Sequence, residues 1–364
     1  MGYLEELRLE IDNVDKKIVE LFEKRMEIVS NVAKYKIENK LAIVNNSREE
    51  EVIKKNSDYL KNKDLQSYLR KFFVNLMNLS KDYQNEKINE NNAKINVGFQ
   101  GTFGSYSEQA LIEYFGDKVE TYPVKDFEDV FKELKNGKIN YGVLPIENSS
   151  TGAITEVYDL LRKYGLYIVG NICLKVNHNL MGVKGTRYED ITEIYSHPQA
   201  FQQCSEFLNN NNDWVLIPYH NTAISAEFIK NENSKHMAAI GSKKAAEVYG
   251  LEIIKENINN NDNNYTRFII IGNNLETNKD NNAISIVFTS PNKAGALYDS
   301  LGIFKEYNLN MIRIESRPII GTPWEYFFYI DIEGDINNKK VKEALDYIQT
   351  NSSYFKMLGN YKNE

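Results

Sequence analysis

Apolar residues in the first part of the chain recur at alternating steps of three and four. Leu4, Leu7, Ile11, Val14, Ile18, Leu21, Ile28 and Val32 fall on one stripe, the spacing of a long amphipathic helix with a coiled-coil-like seam. Arg25 stands in that seam where a leucine is expected, with Lys36 on the same face and Arg8 flanking the start. The helix is predicted to end at Asn39 and Lys40. Ser47 with Glu50 three residues on is a capping-box pattern that opens a second helix. A third, from about Leu65, carries Leu65, Leu69, Phe72, Leu76, Leu79 and Tyr83, with Ser80 and Gln84 on a neighbouring face. Three helices of which one is very long cannot close a core alone, so the pattern predicts a dimer of interlocked hairpins.

Residues 84–92 are polar without apolar periodicity and read as a linker. Beyond them the period changes. A strand at 94–100 and a glycine-containing loop at 101–107 lead into a helix at 108–115, and then segments 127–135, 141–146, 152–163 and 166–176 alternate between helix and strand. A second set comprises a strand at 191–195, a helix from Gln199, a strand at 215–219, a helix at 222–230 and a strand at 237–240, and 265–272 is a closing strand. That is α/β architecture, in two lobes with a cleft, the closing strand returning to the first lobe. A second polar linker, 273–282, precedes a β-α-β-β-α-β order, which is a ferredoxin-like α+β unit. Three domains are expected: an all-α one at 1–90, a two-lobed α/β one at 94–272 and the ferredoxin-like one at 283–364.

Composition narrows the classes. At 364 residues, multiple domains are the prior. With 42% hydrophobic and 26% charged residues the chain is of the globular soluble type. It has no apolar run long enough for a bilayer and no charged-then-apolar leader, which points to the cytoplasm. A net charge of −7 argues against nucleic acid as a partner. Cys173 and Cys204 fit no metal spacing and are expected to stay thiols in a reducing compartment; no metal is expected.

The candidate chemistry starts at residues 141–161, YGVLPIENSSTGAITEVYDLL. A buried strand ends in a polar cluster, Glu147, Asn148, Ser149, Ser150 and Thr151, then an amphipathic helix begins. Open α/β sheets bind ligands at such places, where hydroxyls, amides and free helix N–H groups converge. This stretch resembles the most recognisable motif of prephenate dehydratases, and GTFGSYSEQA, YSHPQAFQQC and NYTRF resemble that family's other motifs in the expected order. The resemblance implies expulsion of carbon dioxide and hydroxide from prephenate to give phenylpyruvate. Decarboxylation supplies the electrons, so the enzyme must mainly protonate the leaving hydroxyl. The resemblance implicates Thr266 as that donor. Arg267 suits either a substrate carboxylate or a structural ion pair, and Glu147, Asn148, Ser149, Thr151, Ser196 and Gln203 are further candidates for the cleft.

The helical segment is similar to the all-helical chorismate mutases. Arg8, Arg25, Lys36, Arg48, Glu49, Ser80 and Gln84 fall on that family's site positions, while Asn45 stands where many members have aspartate. The implied reaction rearranges chorismate to prephenate without nucleophile or cofactor, by holding a dianion in a compact conformer and stabilising charge on the breaking ether oxygen. Arg25 and Arg8 suit the carboxylates because a guanidinium binds them bidentately. Lys36 and Gln84 would donate to the ether oxygen, and Glu49 would accept from the substrate hydroxyl. The family implies that Arg8 reaches across from a partner chain. KAGALYDSL and ESRP in the last domain are similar to the phenylalanine-binding motifs of ACT regulatory domains. They imply an effector site at Gly295, Ala296, Leu297, Glu315, Ser316 and Arg317, shared between paired domains. Together these features resemble the bifunctional P-proteins of phenylalanine biosynthesis, as homodimers or homotetramers. Two alternatives stay open at this level: a dehydratase whose helices only dimerise, and a non-catalytic anion-binding regulator.

Overall fold

The leucine stripe lies on a single helix, α1 (Tyr3–Glu38), followed by α2 (Asn46–Asp58), a 3-10 turn at Lys63–Leu65 and α3 (Gln66–Asn92). The computed structural model describes residues 2–38, 46–92, 95–211 and 213–363, with side chains described except at 33, 34, 37, 38, 46–50 and 84–92. Asn39, Lys40 and Asn45 lie outside the described residues. Contrary to the linker expectation, 84–92 continue α3 as helix; the segment is rich in Glu, Lys, Gln and Asn but has no proline or glycine to stop it. The chain divides into two units, Met1–Lys94 and Ile95–Glu364.

In the first unit α3 packs against both α1 and α2. Among the described apolar residues only Val29, Ile53 and Met77 are buried, while Leu4, Ile11, Val14, Ile18, Leu21 and Ile28 of the seam are exposed. Helical periodicity has set an apolar face that these three helices do not cover. A groove of about 590 Å3 runs along it between α1 and α3, lined by Ile18, Phe22, Phe72, Leu76 and Leu79, with Arg25 in its wall.

The second unit begins with β1 (Asn96–Gln100), α4 (Tyr106–Phe115), β2 (Glu120–Val124), α5 (Phe127–Lys135), β3 (Tyr141–Asn148), β4 (Gly152–Ala153), α6 (Thr155–Tyr164) and β5 (Tyr167–Lys175). The other lobe holds β6 (Asn179–Gly182), β7 (Glu193–Ser196), α7 (Pro198–Gln203), α8 (Ser205–Asn209), β8 (Val215–Pro218), α9 (Thr222–Glu232), β9 (Met237–Gly241), α10 (Lys243–Tyr249) and β10 (Glu252–Lys255). Strand β11 (Tyr265–Gly272) returns to the first lobe between β3 and β5, antiparallel to both. The last part is β12 (Ala283–Thr289), α11 (Ala296–Glu306), β13 (Met311–Pro318), β14 (Tyr326–Glu333), α12 (Lys339–Thr350) and β15 (Phe355–Tyr361).

The second lobe has its own five-stranded sheet, β10-β6-β9-β7-β8. The other strands form one ten-stranded sheet, β13-β14-β12-β15-β5-β11-β3-β1-β2, with β4 folded back on β3. The ferredoxin-like part is thus joined to the first lobe through the parallel pair β15·β5, in register at Gly359 and Ile168. One face of its strands packs on α11 and α12 through Ile284, Ile286, Phe304, Ile330 and Leu345. The other face shares a core with α5 and α6, where Val287, Phe327, Tyr329 and Leu358 meet Phe131, Leu134, Leu161 and Ile271. Each large side chain buried there contributes about 1.5–3 kcal/mol, so the linker 273–282 joins two parts that are already fused.

Candidate functional site

Strand alternation builds the site in the cleft of the second unit. Thr266 and Asn148 are register partners, as are Arg267 and Glu147. Successive residues of a strand point to opposite faces, so one pair faces the cleft and the other faces away. Thr266, Phe268 and Asn148 line the cleft, a space of about 330 Å3.

Asn148 organises its floor. Its Oδ1 accepts from the Ser150 N–H (3.0 Å), the Thr151 N–H (3.2 Å) and the Thr151 hydroxyl (3.3 Å). Two backbone donors fix which end of the amide is oxygen. Its Nδ2 therefore faces Asn264 Oδ1 at 2.8 Å and Thr266 Oγ1 at 2.9 Å. The Thr266 hydroxyl receives a hydrogen bond there, which leaves its own proton available on the cleft side. Thr151 Oγ1 also accepts from Gln199 Nε2 across the cleft at 3.0 Å.

The opposite wall comes from the second lobe. Gln203 Oε1 lies 2.9 Å from His178 Nε2, and His178 Nδ1 lies 3.3 Å from the Tyr106 hydroxyl. Burial, opposed by the Gln203 bond, lowers the His178 pKa, and burial also lowers that of His197. His178 is backed by Asn259, whose Oδ1 accepts from the His178 N–H at 2.6 Å where the chain crosses between lobes. Ser105 caps α4 and Asn221 caps α9, both at the cleft. The positive ends of two helices thus point at a space in which, among the described residues, no lysine, arginine, aspartate or glutamate takes part. Cys204 is buried, and burial pushes its thiol up to about 12; Cys173 is exposed, and neither cysteine is in a disulfide.

Four expected cleft residues are elsewhere. Arg267 and Glu147 occupy the opposite sheet face, where Arg267 Nη1 is 4.0 Å from Glu147 Oε2 and 3.8 Å from Asp331 Oδ2. Burial works against the Arg267 charge, but Asp331, then Cys173 and Glu147, outweigh it and its pKa is raised. Arg267 is thus an ion-pair residue behind the cleft, because strand period turns it away from Thr266. Ser149 staples the end of β3 to β11, donating to Asn263 O and accepting from the Tyr265 N–H. Ser196 is fully buried and donates to Ile240 O at 2.8 Å, tying β7 to β9. His178, Tyr106, His220 and Asn264 were not singled out by sequence; the only signal for His178 is a histidine between two asparagines after an apolar strand.

In the helical unit Arg25 and Ser80 come together, Arg25 Nη1 donating to Ser80 Oγ. Ser80 is buried, and burial lowers the pKa of the half-buried Arg25. Arg8 is exposed on α1. It lies 17 residues before Arg25 on one helix, about 25 Å at 1.5 Å per residue. Lys36 is half-buried on the last turns of α1. The side chains of Arg48, Glu49 and Gln84 lie outside the described residues.

In the C-terminal part Gly295 takes a left-handed conformation (φ 82°) and leaves the start of α11 without a side-chain cap, just before Ala296 and Leu297. Glu315, Ser316 and Arg317 lie within β13, the edge strand. Arg317 is engaged by Asp159 of α6 at 2.7 Å.

Three family models match in order: Chorismate mutase type II over residues 7–85, Prephenate dehydratase over 97–276 and ACT domain over 284–348. They define a two-domain enzyme with an attached regulatory domain. A bifunctional chorismate mutase/prephenate dehydratase of Buchnera aphidicola is 37% identical over 98% of this chain and 96% of its own length, and that of Escherichia coli K12 is 33% identical over 98% and 96%. A solved prephenate dehydratase from Arthrobacter aurescens in complex with L-Phe superposes with a TM-score of 0.68 at 27% identity, covering 74% of this chain and 90% of that one. The chain belongs to the bifunctional chorismate mutase/prephenate dehydratase family. It is an isomerase and a carbon–oxygen lyase in one polypeptide.

Proposed function

We propose that the helical unit rearranges chorismate to prephenate, that the cleft converts prephenate to phenylpyruvate, and that Thr266 is the acid of the second step. The observation that carries the second step is the Asn148–Thr266 hydrogen bond. As the ring carboxylate leaves as carbon dioxide, the electrons of that C–C bond enter the ring and the C–O bond to the hydroxyl breaks. The departing oxygen takes the Thr266 proton and leaves as water. Negative charge developing on Thr266 Oγ1 is met by Asn148 Nδ2, a donor already aimed at it. The threonine then recovers a proton from solvent. Substrate carboxylates are held by helix N-termini, hydroxyls and amides, with Gln203 and Thr151 at hand, and not by an arginine.

In the helical unit Arg25 and Ser80 supply one end of the mutase site, with Lys36, Arg48, Glu49 and Gln84 completing it. Arg8 is too far along α1 to join them within one copy, so the site takes Arg8 from a second copy whose seam covers the exposed apolar stripe. The active species is then at least a homodimer. Phenylalanine is the effector, its carboxylate at the uncapped start of α11 near Gly295, Ala296 and Leu297 and its ammonium on backbone acceptors near Glu315 and Ser316. The metabolites and the free thiols suit the cytoplasm. Incubating the purified full chain with chorismate and following prephenate and phenylpyruvate tests both activities; prephenate accumulating without phenylpyruvate would refute the cleft assignment.

A further inference from the structure

Behind the catalytic pair lies a square of charges drawn from two domains. Glu147 and Arg267 flank Asn148 and Thr266 in sequence but occupy the far face of the sheet. Arg313 of β13 and Asp331 of β14, register partners in the ACT domain, meet them there. Arg313 Nη1 is 3.5 Å from Glu147 Oε2, and Arg267 Nη1 is 3.8 Å from Asp331 Oδ2. Asp331 Oδ1 also accepts from Ser285 Oγ at 2.5 Å. The Arg313 guanidinium lies over the Tyr158 ring, 4.8 Å from its centroid.

The square is loosely engaged. Its cross-domain contacts exceed hydrogen-bond length, and Nη1 and Nη2 of Arg313 find no hydrogen-bond partner although the side chain is only 9% exposed. Arg313 shares its strand face with Glu315 and Arg317, in the segment assigned above to the effector, and those residues pair with Tyr329 and Phe327 as Arg313 pairs with Asp331.

We propose that this Glu147–Arg267–Arg313–Asp331 square transmits the state of the ACT domain to the dehydratase site. A shift of β13 tightens or releases Glu147 and Arg267, and each is covalently next to a residue of the catalytic pair. The proposal rests on the effector reading above. It gives Arg313 a positioning role, since it touches neither substrate nor effector.

The test uses the full chain. Arg313→Met keeps length and packing but removes the charge. Dehydratase kcat and KM are measured with and without phenylalanine, and phenylalanine binding is followed by calorimetry. Turnover without effector should stay within a few-fold of wild type and phenylalanine should still bind, while the inhibition ratio falls roughly tenfold, within the range of allosteric couplings. Arg313→Lys, which keeps charge but loses the planar stack, should recover part of the inhibition; it also serves if Arg313→Met does not fold. Glu147→Gln combined with Arg313→Met should lose no more inhibition than the greater single loss. Undiminished inhibition with binding intact overturns the proposal and spares the effector reading. A wild-type chain that binds no phenylalanine overturns both.

Discussion

Thr266 draws its chemistry from its neighbours, because a threonine hydroxyl is a poor acid in water. Thr266→Ala is expected to cut dehydratase turnover about 100-fold or more, the scale of general acid catalysis, with mutase activity intact. Thr266→Ser should retain much more; equal rates for the two variants would remove the hydroxyl from the reaction. Arg25→Ala should cut mutase turnover sharply while prephenate is still consumed, with a loss of about 2–5 kcal/mol for a desolvated charge contact. Chorismate conversion near the wild-type rate would make Arg25 structural. His178 gives a pH dependence. Burial lowers its pKa from the ordinary 6.5, so the unfolded chain takes up this proton at higher pH than the folded one. Folding stability from this group is complete above about 6.5 and falls as the pH drops below it. Thermal melts of the full chain across that window should show the decline, and His178→Gln should lessen it; an unchanged slope would assign the decline elsewhere.

Among the elements, long periodic stripes and strongly apolar strands were legible because their signal sums over many residues. The order of the ferredoxin-like unit, the helix Phe127–Lys135 and the strands at Tyr141 and Tyr265 follow from period alone. Strand β2 carries a proline and is half-exposed, which hid its pattern, and the four-residue strands β6 and β10 were also not read. At Gly152 the expected helix start is a two-residue strand paired back on β3, and the helix begins at Thr155. The placement of Arg267 was within reach of sequence, since alternation from Thr266 sends it to the other face. What waits behind that face was not, because Asp331 and Arg313 are brought there by pairing between distant segments. The β15·β5 junction is likewise invisible in sequence, and its backbones approach closely at one residue. A Cβ on Gly359 would sit 2.3 Å from the Ile168 carbonyl oxygen. Gly359→Ala should therefore destabilise the second unit by about 1–3 kcal/mol, the usual cost of overpacking, and weaken phenylalanine inhibition. Wild-type melting and inhibition together would mean that the junction tolerates separation.

At the scale of the whole molecule, the sequence reading places a regulatory module after a linker, from which removal of residues 283–364 ought to leave a working dehydratase. The shared core changes that expectation. Removing the ACT domain strips Val287, Phe327, Tyr329 and Leu358 from the packing around Leu161 and Phe131 and uncovers the edge of β5. The truncated chain should expose apolar surface and self-associate, which light scattering of the purified fragment would reveal; a monodisperse, active fragment would show that the lobe closes by itself. The same sheet dictates an order of events on the ribosome. Strand β5 is synthesised with neither neighbour available: β11 arrives about 90 residues later and β15 about 180. At about 5–20 residues per second, both sides of β5 stay open for several seconds in every round of translation, and the effector-sensing domain is the last piece to protect the catalytic one.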